Sequence, residues 1–301
     1  MTIQQSTIDV LHLSKSYHAK QVLKDVTFQV HPGTIVGMVG NNGAGKTTIM
    51  KILLGLVRPS AGTAKVNGCA LTAPTAQRLR GVGSMIDIPA FYPYLTVQEN
   101  LRQTVRMIHA ADSEIDRVLQ LTGMADSKHL AVKKCSMGMK QRLGISRALL
   151  GAPKLLILDE PANGLDPNGT IQFRELLLRL KSDGVTILLS SHMLSEIEKL
   201  CDKIIYLTDG VIRQEIAANE YESQTCVFQS ADAVKARELL KSANVVRGCG
   251  GDGTQVTFTC GKNTLPQMIN LLLSARIDVQ NLQVTEHDLE HTLFAEEALK
   301  P

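Results

Sequence analysis

The period of hydrophobic and polar positions changes several times along the chain. IDVLHLSKSY (8–17) and VLKDVTFQV (22–30) alternate, which predicts two half-buried strands, because successive side chains of a strand face opposite ways. TIVGMVG (34–40) is apolar almost without a break and reads as a buried strand. TAKVNGCAL (63–71) turns back at Asn67-Gly68, a pair suited to a two-residue hairpin loop. VGSMI (82–86), LLIL (155–158) and VTILLS (185–190) are further buried strands, and IIYLT (204–208) and VIRQ (211–214) flank a second turn at Asp209-Gly210.

Helical periods lie between these strands. Thr96 and Glu99 form a capping box that opens a helix to about Ala110, and a second helix spans roughly 113–122. In CSMGMKQRLGISRALL (135–150), Leu143, Ala148, Leu149 and Leu150 share an apolar stripe, and Gly151 and Pro153 end the helix. Its start has no acidic residue to complement the helix dipole. Ser136, Met137, Gly138 and Met139 stand there, followed by Lys140 and Arg142, so an electropositive end is expected. A later helix places Phe173, Leu176, Leu177 and Leu180 on one face.

Unbroken apolar strands predict a parallel sheet covered on both faces, with ligands at the carboxyl ends of its strands. Those ends carry Gly40 and its loop, Asp87, Asp159-Glu160 and Ser191-His192, which should converge on one site. After about Asn219 the texture changes. Strand TCVFQS (225–230), helix 232–242, strands near 245–247 and 254–259, helix 264–273, strand 277–282 and helix 285–298 predict a small α+β domain. The expected division is therefore a main domain over 1–218 and an accessory domain over 219–301.

Composition adds limits. Hydrophobic residues make up 44% of the 301 positions, enough for a large core, and no apolar run has the length of a membrane span. MTIQQSTIDV has neither the basic start nor the apolar centre of a signal peptide. The six cysteines lack metal-ligand spacing, which suits reduced thiols in a cytoplasmic protein. A net charge of +3 gives no ground for a nucleic-acid partner. The charge is uneven: residues 219–301 hold 7 Lys/Arg against 11 Asp/Glu, and the rest hold 25 against 18.

The chemistry centres on GNNGAGKTT, residues Gly40, Asn41, Asn42, Gly43, Ala44, Gly45, Lys46, Thr47 and Thr48. It fits the phosphate-loop pattern, placed after a strand and before a helix. The glycines let the backbone curl so that its N–H groups surround phosphate oxygens, Lys46 sets a cation on the outer phosphates, and Thr47 offers a hydroxyl to Mg²⁺. LLILDE ends in Asp159, which can hold Mg²⁺, and Glu160, which can polarise an attacking water. Asp166 in NGLDP can cap or bridge, and His192 can reach a γ-phosphate. The guanine-reading N-K-x-D motif of GTPases is absent.

Taken in order, GNNGAGKTT, CSMGMKQRLGISRALL, LLILDEPANGLDP and LLSSH resemble the phosphate loop, signature, second Walker motif, D-loop and H-loop of ABC-transporter ATPase subunits, over about residues 8–217. The resemblance implies a P-loop NTPase (RecA-like) α/β core with a parallel sheet, antiparallel β and helical subdomains, joined here by the α+β C-terminal domain. It implies ATP and Mg²⁺, and a homodimer that sandwiches two ATP. In that dimer Ser136 and Gly138 contact the γ-phosphate held by the other copy's Lys46. It further implies separate integral membrane permease subunits and a place on the inner face of the cell membrane. Tyr17 sits where the family stacks an aromatic on adenine. Asp87 replaces the family's loop glutamine, a nucleotide and metal contact, Met137 replaces the signature's second glycine, and Ala162 replaces a common Thr or Ser. The SMGMKQRLG signature and the acidic loop residue resemble the bacitracin- and lantibiotic-resistance branch, whose members export or remove peptide antibiotics. A soluble ABC ATPase acting on ribosomes or DNA is the alternative; such proteins usually carry paired ATPase halves or long inserts, and this chain has one set of motifs.

Overall fold

Alternation in the first thirty residues produces β1 (Ile8–Tyr17) and β2 (Lys20–Val30), which pair antiparallel. Ile8, Val10, Leu13, Leu23, Val26, Phe28 and Val30 are buried from these two strands. The step from Val10 to Leu13 breaks the two-residue period, and the pairing shifts register there, with His12 in the left-handed region. An extra residue is thus accommodated as a bulge while the apolar face stays inward. With β4 (Ala61–Val66) and β5 (Cys69–Ala70) these strands form a sheet in the order β2-β1-β4-β5. Asn67 and Gly68 both take positive φ at the predicted hairpin turn. The computed structural model describes residues 6–286 except 19, 88, 218–222, 244, 245, 262 and 263.

The continuous apolar runs become the second sheet. It consists of β3 (Ile35–Val39), β6 (Val82–Met85), β7 (Leu155–Leu158), β8 (Thr186–Ser191), β9 (Lys203–Thr208) and β10 (Val211–Ala217), in the order β10-β9-β3-β8-β7-β6. The pairs β9–β3, β3–β8, β8–β7 and β7–β6 are parallel. Every residue of β3, β7 and β8 is buried, as a sheet covered on both faces requires. The helix α1 (Lys46–Leu53) packs Ile49, Met50, Ile52 and Leu53 into the core shared by the two sheets. A short helix, α2 (Thr75–Arg78), precedes β6.

The helices α3 (Val97–Met107), α4 (Ser113–Leu121) and α5 (Met137–Ala148) pack against one another. Both capping-box bonds are present at the start of α3: Glu99 N–H donates to Thr96 Oγ1 at 3.2 Å, and Thr96 N–H donates to Glu99 Oε2 at 2.8 Å. Two further α-helices follow, α6 (Pro167–Ser182) and α7 (Leu194–Glu198).

The chain divides into two compact units, Met1–Glu215 and Ile216–Pro301. In the second, β11 (Ser223–Gln229), α8 (Ala233–Ser242), β12 (Val246–Gly250), β13 (Gln255–Gly261), α9 (Leu265–Ser274) and β14 (Gln280–Glu286) follow one another as βαββαβ. The sheet order β12-β13-β11-β14 with antiparallel pairing gives the ferredoxin-like arrangement. Cys226, Phe228, Val256, Phe258 and Cys260 form its core with Ala236 and Leu240 of α8 and Met268 and Leu272 of α9. The last strand corrects the sequence expectation. It runs over 280–286 where 277–282 was expected, and Thr285 and Glu286, expected to open a helix, pair with Thr225 and Gln224. Ladder pairing along β11 outweighs the local helical period. The rest of the expected helix 285–298 lies outside the described residues.

Candidate functional site

The loop after β3 is shaped by close backbone packing. A side chain at Gly40 would place its Cβ 2.0 Å from Leu207 O, so only glycine lets the loop pass β9. Ala44 N–H donates to Asn41 O at 3.1 Å, and Gly210 N–H to Ala44 O at 3.1 Å. Asn41, Asn42 and Gly43 form the exposed rim, Ala44, Gly45 and Lys46 are buried, and Thr47 and Thr48 are half-buried at the start of α1.

Lys46 is only 6% exposed. Its ammonium donates to Gly40 O at 2.5 Å and Asn41 O at 3.3 Å, and lies 3.9 Å from Glu160 Oε1. Burial pushes its pKa down, and the charges of Glu160 and Asp159 push it back up. A desolvated cation bonded mainly to neutral carbonyls favours an incoming anion.

Asp159, 6% exposed, is held at both oxygens. Oδ2 accepts from Thr47 Oγ1 at 2.7 Å, and Oδ1 accepts from Ser190 Oγ at 2.6 Å. The same Ser190 oxygen accepts from Glu160 N–H at 2.8 Å. Glu160 has φ 46°, a left-handed backbone that turns its side chain out of the strand line. Glu160 Oε2 lies 2.7 Å from His192 Nδ1; the carboxylate is 22% exposed and the imidazole 52%. Three parallel strands and one loop thus bring Lys46, Thr47, Asp159, Glu160 and His192 together, while Asp87, the fourth strand end expected there, pairs with Lys51 of α1.

Thr47 Oγ1 and Asp159 Oδ2 are hard oxygen donors side by side, a donor set that fits Mg²⁺. That ion takes few protein oxygens and keeps waters and substrate phosphates. Among the described residues no group of three or more His, Cys, Asp or Glu could hold a metal by itself. Asp87 follows β6 with φ 55°, and its carboxylate pairs with Lys51 Nζ of α1 at 2.7 Å.

At the start of α5, Ser136 is the N-cap, and its Oγ accepts from Met139 N–H at 3.2 Å. Gly138 lies in the first turn, and Met137, 63% exposed, packs over Gly164. Gln141 is buried and donates to Glu160 O at 3.3 Å and Pro161 O at 2.9 Å. It therefore ties this helix to the segment that carries Glu160. Asp166 caps α6 by accepting from Gly169 N–H at 3.2 Å, and the same oxygen is 3.9 Å from Arg142 Nη2. The first turn of α5 holds no acidic residue, and Arg142, just beyond it, lies within ion-pair distance of Asp166. Tyr17 ends β1 at 41% exposure, with Lys15 Nζ 4.7 Å from its ring centre.

Sequence reasoning missed Ser190, Gln141 and Lys51. Ser190 looks in the sequence like an ordinary strand end, and nothing in the sequence around Gln141 marks it out. Nothing in the spacing of Lys51 and Asp87 signals their pairing.

A family model described as ABC transporter matches residues 23–163. The bacitracin transport ATP-binding protein BcrA of Bacillus licheniformis is 40% identical over 78% of this chain and 78% of its own. The lantibiotic transport ATP-binding protein SrtF of Streptococcus pyogenes is 40% identical over 71% of this chain and 91% of its own. A solved structure of an ATP binding subunit of an ABC transporter is similar with a TM-score of 0.66 and 32% identity, covering 72% of this chain and 92% of that one.

Proposed function

This chain belongs to the ABC transporter family of ATP-binding proteins, and we propose that it is the ATP-hydrolysing subunit of a transporter whose membrane-spanning part is a separate chain. The observation that carries this reading is the hydrogen-bonded set at one sheet end, Thr47–Asp159–Ser190 and Glu160–His192, closed around buried Lys46. Backbone N–H groups of residues 40–48 surround the phosphates of ATP, and Lys46 pairs with the outer ones. Thr47 and Asp159 would hold Mg²⁺, which would offset phosphate charge. Glu160 orients a water toward the γ-phosphorus and accepts its proton as the bond to the leaving ADP oxygen breaks. His192 steadies the Glu160 carboxylate and reaches the γ-phosphate. Tyr17 stacks on adenine, and Asp87 adds a contact near the phosphates and metal.

Two copies facing each other would bring Ser136 and Gly138 of each to the phosphates held by the other, with Asp166 at the same junction. We assign the transporter a peptide antibiotic or a lipid-like compound as cargo; the relatives named for bacitracin and lantibiotic transport support the peptide antibiotic. The site of action in this reading is the inner face of the cell membrane, reached through the permease. No helix among the described residues is long and apolar enough to cross a membrane. Residues 219–301 act as an accessory domain for dimerisation or partner assembly.

The test is Glu160→Gln. The variant should bind ATP normally and hydrolyse it about 10²–10⁴-fold more slowly, the usual cost of losing a general base. Near-normal turnover would move the base elsewhere.

A further inference from the structure

An acidic residue at the end of β6 is at odds with a polyanionic ligand. The register of β6 with β7 ends at the pair Met85–Leu158, so Asp87 lies two residues beyond that pair, as Glu160 does. Both residues take left-handed backbone, φ 55° and 46°, so the two strands leave the sheet at one level and in the same local conformation. Asp87 is therefore level with the proposed base, and an uncompensated carboxylate there would repel nucleotide phosphates.

Compensation comes from the helix that begins with Lys46. Lys51 lies in the last turn of α1, and its Nζ meets Asp87 Oδ2 at 2.7 Å across the space between the helix and the edge strand. The lysine side chain is 31% exposed and the aspartate 60%, so the pair is wet and sensitive to salt. A glutamine at position 87, as the family resemblance implies, would bring no charge for Lys51 to offset.

We infer that Lys51 is the positioning residue for Asp87: it holds the carboxylate on α1 and offsets its charge, so that an acidic loop residue coexists with bound ATP. This rests on the ATP-site reading above. Asp87 and Lys51 then form one unit, and a change at either is felt through the other.

The test is equilibrium binding of a non-hydrolysable imido analogue of ATP, with magnesium, to the full chain at low ionic strength. Lys51→Met should weaken binding about three- to fivefold, the upper part of the range of an exposed ion pair. Lys51→Arg, which keeps the charge, should stay within about twofold of the parent. In an Asp87→Asn background, Lys51→Met should cost less than half as much, because no carboxylate is released toward the phosphates. Added salt should shrink the loss in the parent background. An equal loss in both backgrounds would mean two independent charges and would overturn the inference, as would failure of arginine to restore binding. If the parent chain binds no analogue, the ATP-site reading fails with it. Binding by the parent with an additive pair of losses overturns the role of Lys51 alone.

Discussion

Lys46 concentrates the electrostatics of the site in one side chain. Burial lowers its pKa from the ordinary lysine value, and Glu160 and Asp159 partly restore it. The charged form binds phosphate, so nucleotide affinity should fall as pH rises through this depressed pKa, earlier than an exposed lysine would dictate. Glu160→Gln removes one of the two restoring charges, so the fall should move to lower pH. Analogue affinity followed from neutral to alkaline pH in both proteins checks this; an unmoved midpoint or an upward shift would contradict it. For the free protein the sign reverses. The folded pKa lies below the unfolded one, so the charged lysine costs stability, and that cost is relieved as pH rises from the folded value toward the unfolded value. The residues proposed for the site were legible because spacing carries them: a loop between strand and helix, and a carboxylate pair after four apolar residues. Ser190, Gln141 and Lys51 were not, because each acts through a partner distant in sequence. Ser190 shows the limit well, since the hydroxyl that joins Asp159 to Glu160 looks like any polar strand end until β7 and β8 are paired.

Among the elements, α5 was legible over nearly its whole span, since its apolar stripe, N-cap and terminal glycine agree. Its electrostatic surroundings were less so, because the Asp166 that draws Arg142 belongs to the start of α6. The closeness with which α5 sits on β6 was also hidden. A side chain at Gly83 would bring its Cβ to 2.0 Å from Ala148 O and 2.8 Å from Leu156. Backbone cannot yield there as a flexible side chain can. Gly83→Ala should therefore destabilise the protein by roughly 1–3 kcal/mol or more. For a unit of this size that lowers the melting temperature by about 3–10 °C. An unchanged melting temperature would show that α5 shifts freely on the sheet. In the second unit the elements were mostly found in order, but the last strand was placed too early. A run of mixed polarity fixes neither its ends nor its pairing until β11 supplies the ladder.

For the whole molecule, the P-loop NTPase core was legible because its strands are continuous and its motifs fall at their ends. The ferredoxin-like order of the second unit was not, since strand order is a tertiary choice that the period of a strand does not encode. Every strand-end residue of the proposed site lies within Met1–Glu215. A chain ending near Ala218 should therefore fold and bind ATP, while dimer stability or transporter assembly declines. Outright unfolding, seen as loss of a cooperative thermal transition, would mean that the later segment belongs to the main core. In the proposed dimer each ATP site is completed by a second copy. The most direct measurement is ATP turnover by a mixture of Lys46→Ala and Ser136→Arg chains, with mixed dimers verified. The Ser136→Arg subunit keeps an intact phosphate loop, and the Lys46→Ala subunit keeps an intact signature helix, so one of the two sites in a mixed dimer has both halves. Turnover by the mixture above that of either variant alone is the predicted result; mixed dimers with no recovered turnover would contradict a shared site.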